Sequence, residues 1–197
     1  MQKIFLSLTI ATAAILLNGC APVVIGGAAA GVSVANDRRS AGTVIDDKTL
    51  QLNVSNRLRS EFNIKQNSHI VVTAYNGAVL LTGEAADMSV KQQAEYVAGS
   101  VNGVRRVFNH ITIGPRSSFS HRGYDTKQTE KVKTALLDVA IPGFNPHRVK
   151  VVTEHGVTYL MGIVSENEAN AAVSVAQKVS GVVRVVSLFE INNSIGN

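Results

Sequence analysis

The chain has 197 residues, of which 45% are hydrophobic and 17% charged, with 19 basic against 14 acidic side chains for a net charge of +5. A single cysteine excludes an internal disulfide framework and any cysteine-based zinc cluster. With no tryptophan and 5% aromatics there is little from which to build a stacking platform for bases or sugars, and the mild positive excess permits attraction to anionic surfaces without demanding nucleic acid.

Met1-Gln2-Lys3 is a short positive start to an apolar run from Ile4 to Leu17, which closes on Leu17-Asn18-Gly19-Cys20. A charged start, an apolar centre and small residues at the end describe a secretory signal over residues 1–19. The run is shorter than the roughly 20 residues needed to span a bilayer. Leu-x-Gly-Cys looks like a bacterial lipobox, which implies cleavage before Cys20 and acylation of that residue. Removal of the signal leaves 178 residues and a charge of +4, enough for one ordinary domain or two small ones. Ala21 stands where an aspartate, by resemblance to bacterial sorting rules, would hold a lipoprotein at the inner membrane, so the expected location is the outer membrane, facing the periplasm.

Residues 20–45 read as a lipidated tether. Ala21 to Ala35 is built of small apolar residues and contains Gly27-x-x-x-Gly31, a spacing that lets transmembrane helices approach closely, but the stretch is too short to span alone. Gly31-Val32-Ser33-Val34-Ala35 has no strand-turn-helix context around it and is discarded as a nucleophile elbow.

A duplication organises the remainder. Residues 71–83 recur as 150–162 with Gly77 and Gly83 matching Gly156 and Gly162 at an offset of 79, and Val101-Asn102-Gly103-Val104 returns as Val179-Ser180-Gly181-Val182 at an offset of 78. In the first copy Asp46-Asp47 precede Leu50, Val54 and Leu58, the spacing of an amphipathic helix with acids at its positive end. In the second, the helix is expected to begin at Asp125 and to carry Val132, Leu136 and Leu137. Two β-rich runs follow, joined by Asn76-Gly77 or His155-Gly156, a hairpin signal, with Gly83 and Gly162 ending each hairpin. A second helix presents Ala94, Val97, Ala98 and Val101, or Ala172, Val175, Ala176 and Val179, on one face. A third strand then runs to Ile113 or Ile191 and is expected to pair parallel after its helical crossover.

The fold class is therefore α+β: two tandem αββαβ modules, 46–114 and 124–192, each a three-stranded mixed sheet with two helices on one face. A polar linker over 115–123 and a tail over 193–197 complete the division. Modules of this size bury only about 60% of their unfolded surface, so the two copies are expected to pack on each other or on a membrane.

The Val-Thr-x-x-x-Gly-x-Val-x-Leu-x-Gly hairpin, the following helix and the Val-x-Gly-Val turn resemble the BON domain. A lipobox followed by two such domains is similar to the dual-BON outer-membrane lipoproteins of the DolP type. The resemblance implies binding rather than catalysis: anionic phospholipid recognised through the second domain, in support of outer-membrane integrity. The face it implicates maps onto Lys127, Lys131, Lys133 and Leu137 of the first helix of module 2, Phe144 in the loop 141–146 and Gly162 at the hairpin end. Where close relatives carry a tryptophan, this sequence has Lys127-Gln128, which favours attraction to phosphate over deep insertion.

No catalytic constellation, metal set or cofactor motif is expected. His69, His110, His121, His147 and His155 lack metal-ligand spacing, and His155 reads as a turn residue. Asp46-Asp47 and Glu166-x-Glu168 read as helix starts. The functional expectation is a non-enzymatic, lipid-anchored protein whose partner is an anionic phospholipid membrane. The alternatives are an adaptor for outer-membrane assembly or cell-wall remodelling proteins, or a membrane-active haemolysin.

Overall fold

In the computed structural model, Ser40 opens the first helix, α1 (Ala41–Ser60), its Oγ accepting from the Thr43 N–H at 3.0 Å. The described residues are 37–194, so the signal, Cys20 and the apolar tether up to residue 36 lie outside them, as does the tail from 195. Leu50, Val54 and Leu58 are buried on one side of α1, as their spacing predicts. The helix nevertheless starts five residues before Asp46, and its first turn holds no acid. The dipole reading of Asp46-Asp47 is therefore corrected, and Asp47 is buried mid-helix with another task.

A short α2 (Phe62–Asn67) leads into β1 (Ser68–Tyr75) and β2 (Ala78–Ala85), an antiparallel hairpin. Its two-residue turn needs positive φ at both positions, and Asn76 (φ 49°) and Gly77 (φ 73°) provide it. The helix α3 (Met88–Gly99), capped by Asp87, returns the chain to β3 (Arg106–Asn109) and β4 (Thr112–Ile113), both parallel to β2. The expected third strand is thus present but broken at His110-Ile111, where Ile111 turns into the core.

Module 2 repeats the plan with α4 (Phe119–Ala135), β5 (Lys150–Glu154), β6 (Val157–Met161), β7 (Ile163–Val164), α5 (Glu166–Gln177), β8 (Arg184–Ser187) and β9 (Glu190–Ile191). β6 pairs antiparallel with β5 and parallel with β8, while β9 lies parallel to β7. Two departures concern boundaries. Ser118 caps α4, so residues 119–123 of the expected linker are helical and Asp125 is interior to the helix. Gly83 lies inside β2 rather than at the end of its hairpin, whereas Gly162 follows Met161, the last paired residue of the second hairpin, and separates β6 from β7. A Cβ on Gly83 would stand 2.0 Å from the His69 carbonyl oxygen, and one on Gly162 would stand 2.6 Å from that of Arg148, so only glycine lets the chains approach.

In each module both helices cover one sheet face. Leu50, Val54 and Leu58 of α1 meet Val90, Ala94 and Val97 of α3 over Val72, Val79 and Leu81. Val132 and Leu136 meet Ala172 and Ala176 over Val151 and Leu160. The opposite faces pack on each other: Tyr75 and Leu80 from the first sheet form one buried cluster with Tyr159 and Met161 from the second. Both sheets are thus sandwiched, as parallel strands require.

Candidate functional site

Helix α4 is the element expected to face lipid. Asp125, Gln128, Val132 and, just past its end, Leu136 are buried, which fixes the inward side. Lys127 and Lys131 then fall together on the exposed surface, one turn apart. Neither has an ion-pair partner among the described residues. Lys133 is also exposed but lies on the other flank, about 160° from Lys131 at 3.6 residues per turn, and its Nζ donates to Glu130 at 2.9 Å. Leu137 follows in a 3-10 turn and is 68% exposed, an apolar contact available at the helix end.

Two other expected residues do not share this surface. Phe144 packs against the core of module 2 with Ile141 and so is not an inserting tip. Gly162 is buried between the Arg148 carbonyl and the Phe189 ring, where it permits close packing and offers lipid nothing. Lys127 and Gln128, where the resemblance implies a tryptophan, face opposite ways. Lys127 faces out, whereas Gln128 is fully buried and its Nε2 donates to the Ser180 carbonyl at 2.9 Å, tying α4 to the Gly181 turn.

The buried aspartates fasten each hairpin to its first helix. Asp47 Oδ2 accepts the Asn76 N–H at 2.6 Å and Oδ1 the Gly77 N–H at 2.8 Å. Asp125 does the same for His155 and Gly156 at 3.1 and 3.2 Å. A left-handed two-residue turn leaves these N–H groups facing the helix, and a carboxylate satisfies both. The offset of 78 between the aspartates matches the repeat, a signal the sequence held.

Residues 37–40 bind the two modules together. Arg38 forms a fork on Glu168, with Nη1 at 2.6 Å from Oε2 and Nη2 at 2.9 Å from Oε1, and also donates to the Ile163 carbonyl. Arg39 donates to Asp47 at 2.7 Å and to Asp37, and its guanidinium lies 3.7 Å above the Tyr75 ring. Burial would raise the Glu168 carboxyl, but the Arg38 hydrogen bonds, the Ser165 N–H and the charges of Arg38 and Arg148 hold it below the ordinary value. Glu168 also completes a capping box with Ser165, so the helix-start reading of Glu166-x-Glu168 holds.

A polar cluster sits where the sheets meet. Glu84 of β2 is 2% exposed, and neither of its carboxyl oxygens has a hydrogen-bond partner. His155, at the tip of the opposite hairpin, brings Nε2 to 3.1 Å from Glu84 Oε1. Glu154 completes the group, with donor atoms of all three within 4.8 Å of one another. Burial, followed by the nearby Asp125 and Glu84 charges, pushes the Glu154 carboxyl up to about 7. The positive φ of His155 (50°) agrees with the turn reading, but that reading did not extend to the residues facing it across the sheets.

Several known proteins are similar to the chain. It is 38% identical over 90% of its length, and 91% of the other's, to the outer membrane lipoprotein DolP of Haemophilus influenzae. It is 37% identical, over 78% of both chains, to a protein named 21 kDa hemolysin from Actinobacillus pleuropneumoniae. It is 32% identical, over 78% of this chain and 76% of the other, to osmotically-inducible protein Y of Escherichia coli. The duplicated helix-hairpin-helix-strand unit matches the BON domain model twice, over residues 46–115 and 124–193, and the chain belongs to the BON domain family.

Proposed function

We propose that this is a non-enzymatic, lipid-anchored protein of the outer membrane, facing the periplasm, whose second BON domain holds anionic phospholipid headgroups. The observation that carries the reading is the pair Lys127 and Lys131, exposed side by side on α4 with no ion-pair partner among the described residues, and with Leu137 exposed at the end of the same helix. Each basic residue near an anionic surface contributes about 1 kcal/mol, so the pair supplies about 2 kcal/mol. For a free protein that gives weak, salt-sensitive binding, detectable where anionic lipid is in excess. It suffices for one already tethered through Cys20, because anchoring turns headgroup binding into an intramolecular step at high effective concentration. The resemblance over nearly the whole chain to an outer membrane lipoprotein supports the location, and the relative named hemolysin supports a membrane-facing surface.

The experiment is vesicle flotation of the soluble form beginning at Ala21. Binding to phosphatidylglycerol-containing vesicles is expected to exceed binding to neutral ones, and Lys127→Glu with Lys131→Glu to abolish the difference. Equal binding to both vesicle types, or an unchanged double variant, would refute the proposal. Co-purifying proteins that survive the charge reversals would favour the adaptor reading instead.

A further inference from the structure

The geometry points to a divalent transition-metal site, of the kind that takes Zn2+, at the seam between the two modules, with Glu84, Glu154 and His155 Nε2 as its protein ligands. Glu84 is the anchor of the argument. A carboxyl this deeply buried is ordinarily hydrogen-bonded or paired, because leaving it bare costs several kcal/mol. Here both of its oxygens, and Oε1 of Glu154 beside it, lack hydrogen-bond partners.

His155 Nε2 lies 3.1 Å from Glu84 Oε1 with no hydrogen bond between them, and the contact is an ion pair only when the ring is protonated. Two atoms this close can share a cation after a small outward shift, since ligands about 2.0–2.2 Å from one tetrahedral Zn2+ stand about 3.3–3.6 Å apart. One imidazole with two carboxylates is a donor set suited to zinc rather than to calcium or magnesium, which prefer all-oxygen shells.

The surrounding charge favours a cation. Asp125 faces the same cluster with both oxygens committed to the hairpin turn, so three carboxyl groups meet the guanidinium of Arg122, that of Arg116 on the His69 side, and the imidazoles of His69 and His155. Access exists as well, since the His155 side chain is 37% exposed and Glu154 borders an open groove lined by Arg122, Thr126 and Lys150. The ligands come from both modules, Glu84 from the first and Glu154 with His155 from the second, so the ion would clamp the sheets together. This inference stands independently of phospholipid binding.

The test is equilibrium dialysis of the untagged, full-length mature protein in detergent micelles against zinc chloride, with calcium and magnesium chloride in parallel. The expected result is one zinc per chain, no comparable uptake of the other ions, and a melting temperature that rises with zinc. Glu84→Gln keeps the buried shape, and His155→Asn suits the left-handed turn. Each is expected to fold, by circular dichroism, and to weaken zinc binding about tenfold or more. Absence of uptake by the wild type, or uptake that survives in both variants, would overturn the assignment.

Discussion

At the scale of single residues, the most consequential side chains are two aspartates, Asp47 and Asp125, each 5% exposed. Asp47 spends one carboxylate on the two N–H groups of the Asn76-Gly77 turn and on Arg39, so a single side chain fixes helix, hairpin and N-terminal segment together. Truncating it strands two turn donors and a largely buried guanidinium. Asp47→Ala is expected to destabilise the protein by about 3 kcal/mol, read as a fall in the urea midpoint with an unchanged slope. The sequence displays Asp47 and Asp125 at the repeat offset, yet Asp46-Asp47 also fit a helix start. Choosing between these requires knowing that Ser40, not the acids, caps α1. The same limit hides Glu84. In the sequence it is an ordinary acid in a strand, and only the opposing hairpin brings His155 and Glu154 to it.

At the scale of elements, the apolar periodicities carried most of the information. The buried faces of α1, α3 and α5, the positive-φ hairpin turns and the parallel crossover follow from residue spacing and turn chemistry alone. What spacing does not specify is where a helix meets its neighbour, as α5 shows. Its capping residue Glu168 is also the anchor of Arg38, some 130 positions earlier in the chain. Because the folded Glu168 carboxyl is held below its ordinary value, its stabilising contribution is fully present above about pH 5 and is lost as the pH falls below about 4. The melting temperatures of the wild type and Glu168→Gln are therefore expected to differ near neutrality and to converge toward pH 3. Parallel curves across that range would show that the fork contributes nothing.

At the scale of the whole molecule, the outer sheet faces are consumed by their contact with each other. Leu80 is 0% and Met161 1% exposed, and both belong to the cluster that joins the sheets rather than to either helix-covered core. A charge placed there attacks the seam while sparing the modules. Met161→Asp buries a carboxylate at a cost of several kcal/mol. It is expected to enlarge the radius of gyration in solution scattering and to expose the connection near residues 115–118 to protease while helical circular dichroism persists. Loss of both modules at once would instead mean that neither stands without the other.

Arg38 also decides how a tug from the bilayer would be felt. Eighteen steps separate it from Cys20, a leash of about 60 Å at most when pulled taut. On the proposed anchoring, tension along that leash arrives at the guanidinium fork astride the joint, not at the end of a strand. A pull there would load the joint itself, since Arg38 grips Glu168 of the second module while the chain runs on into α1 of the first.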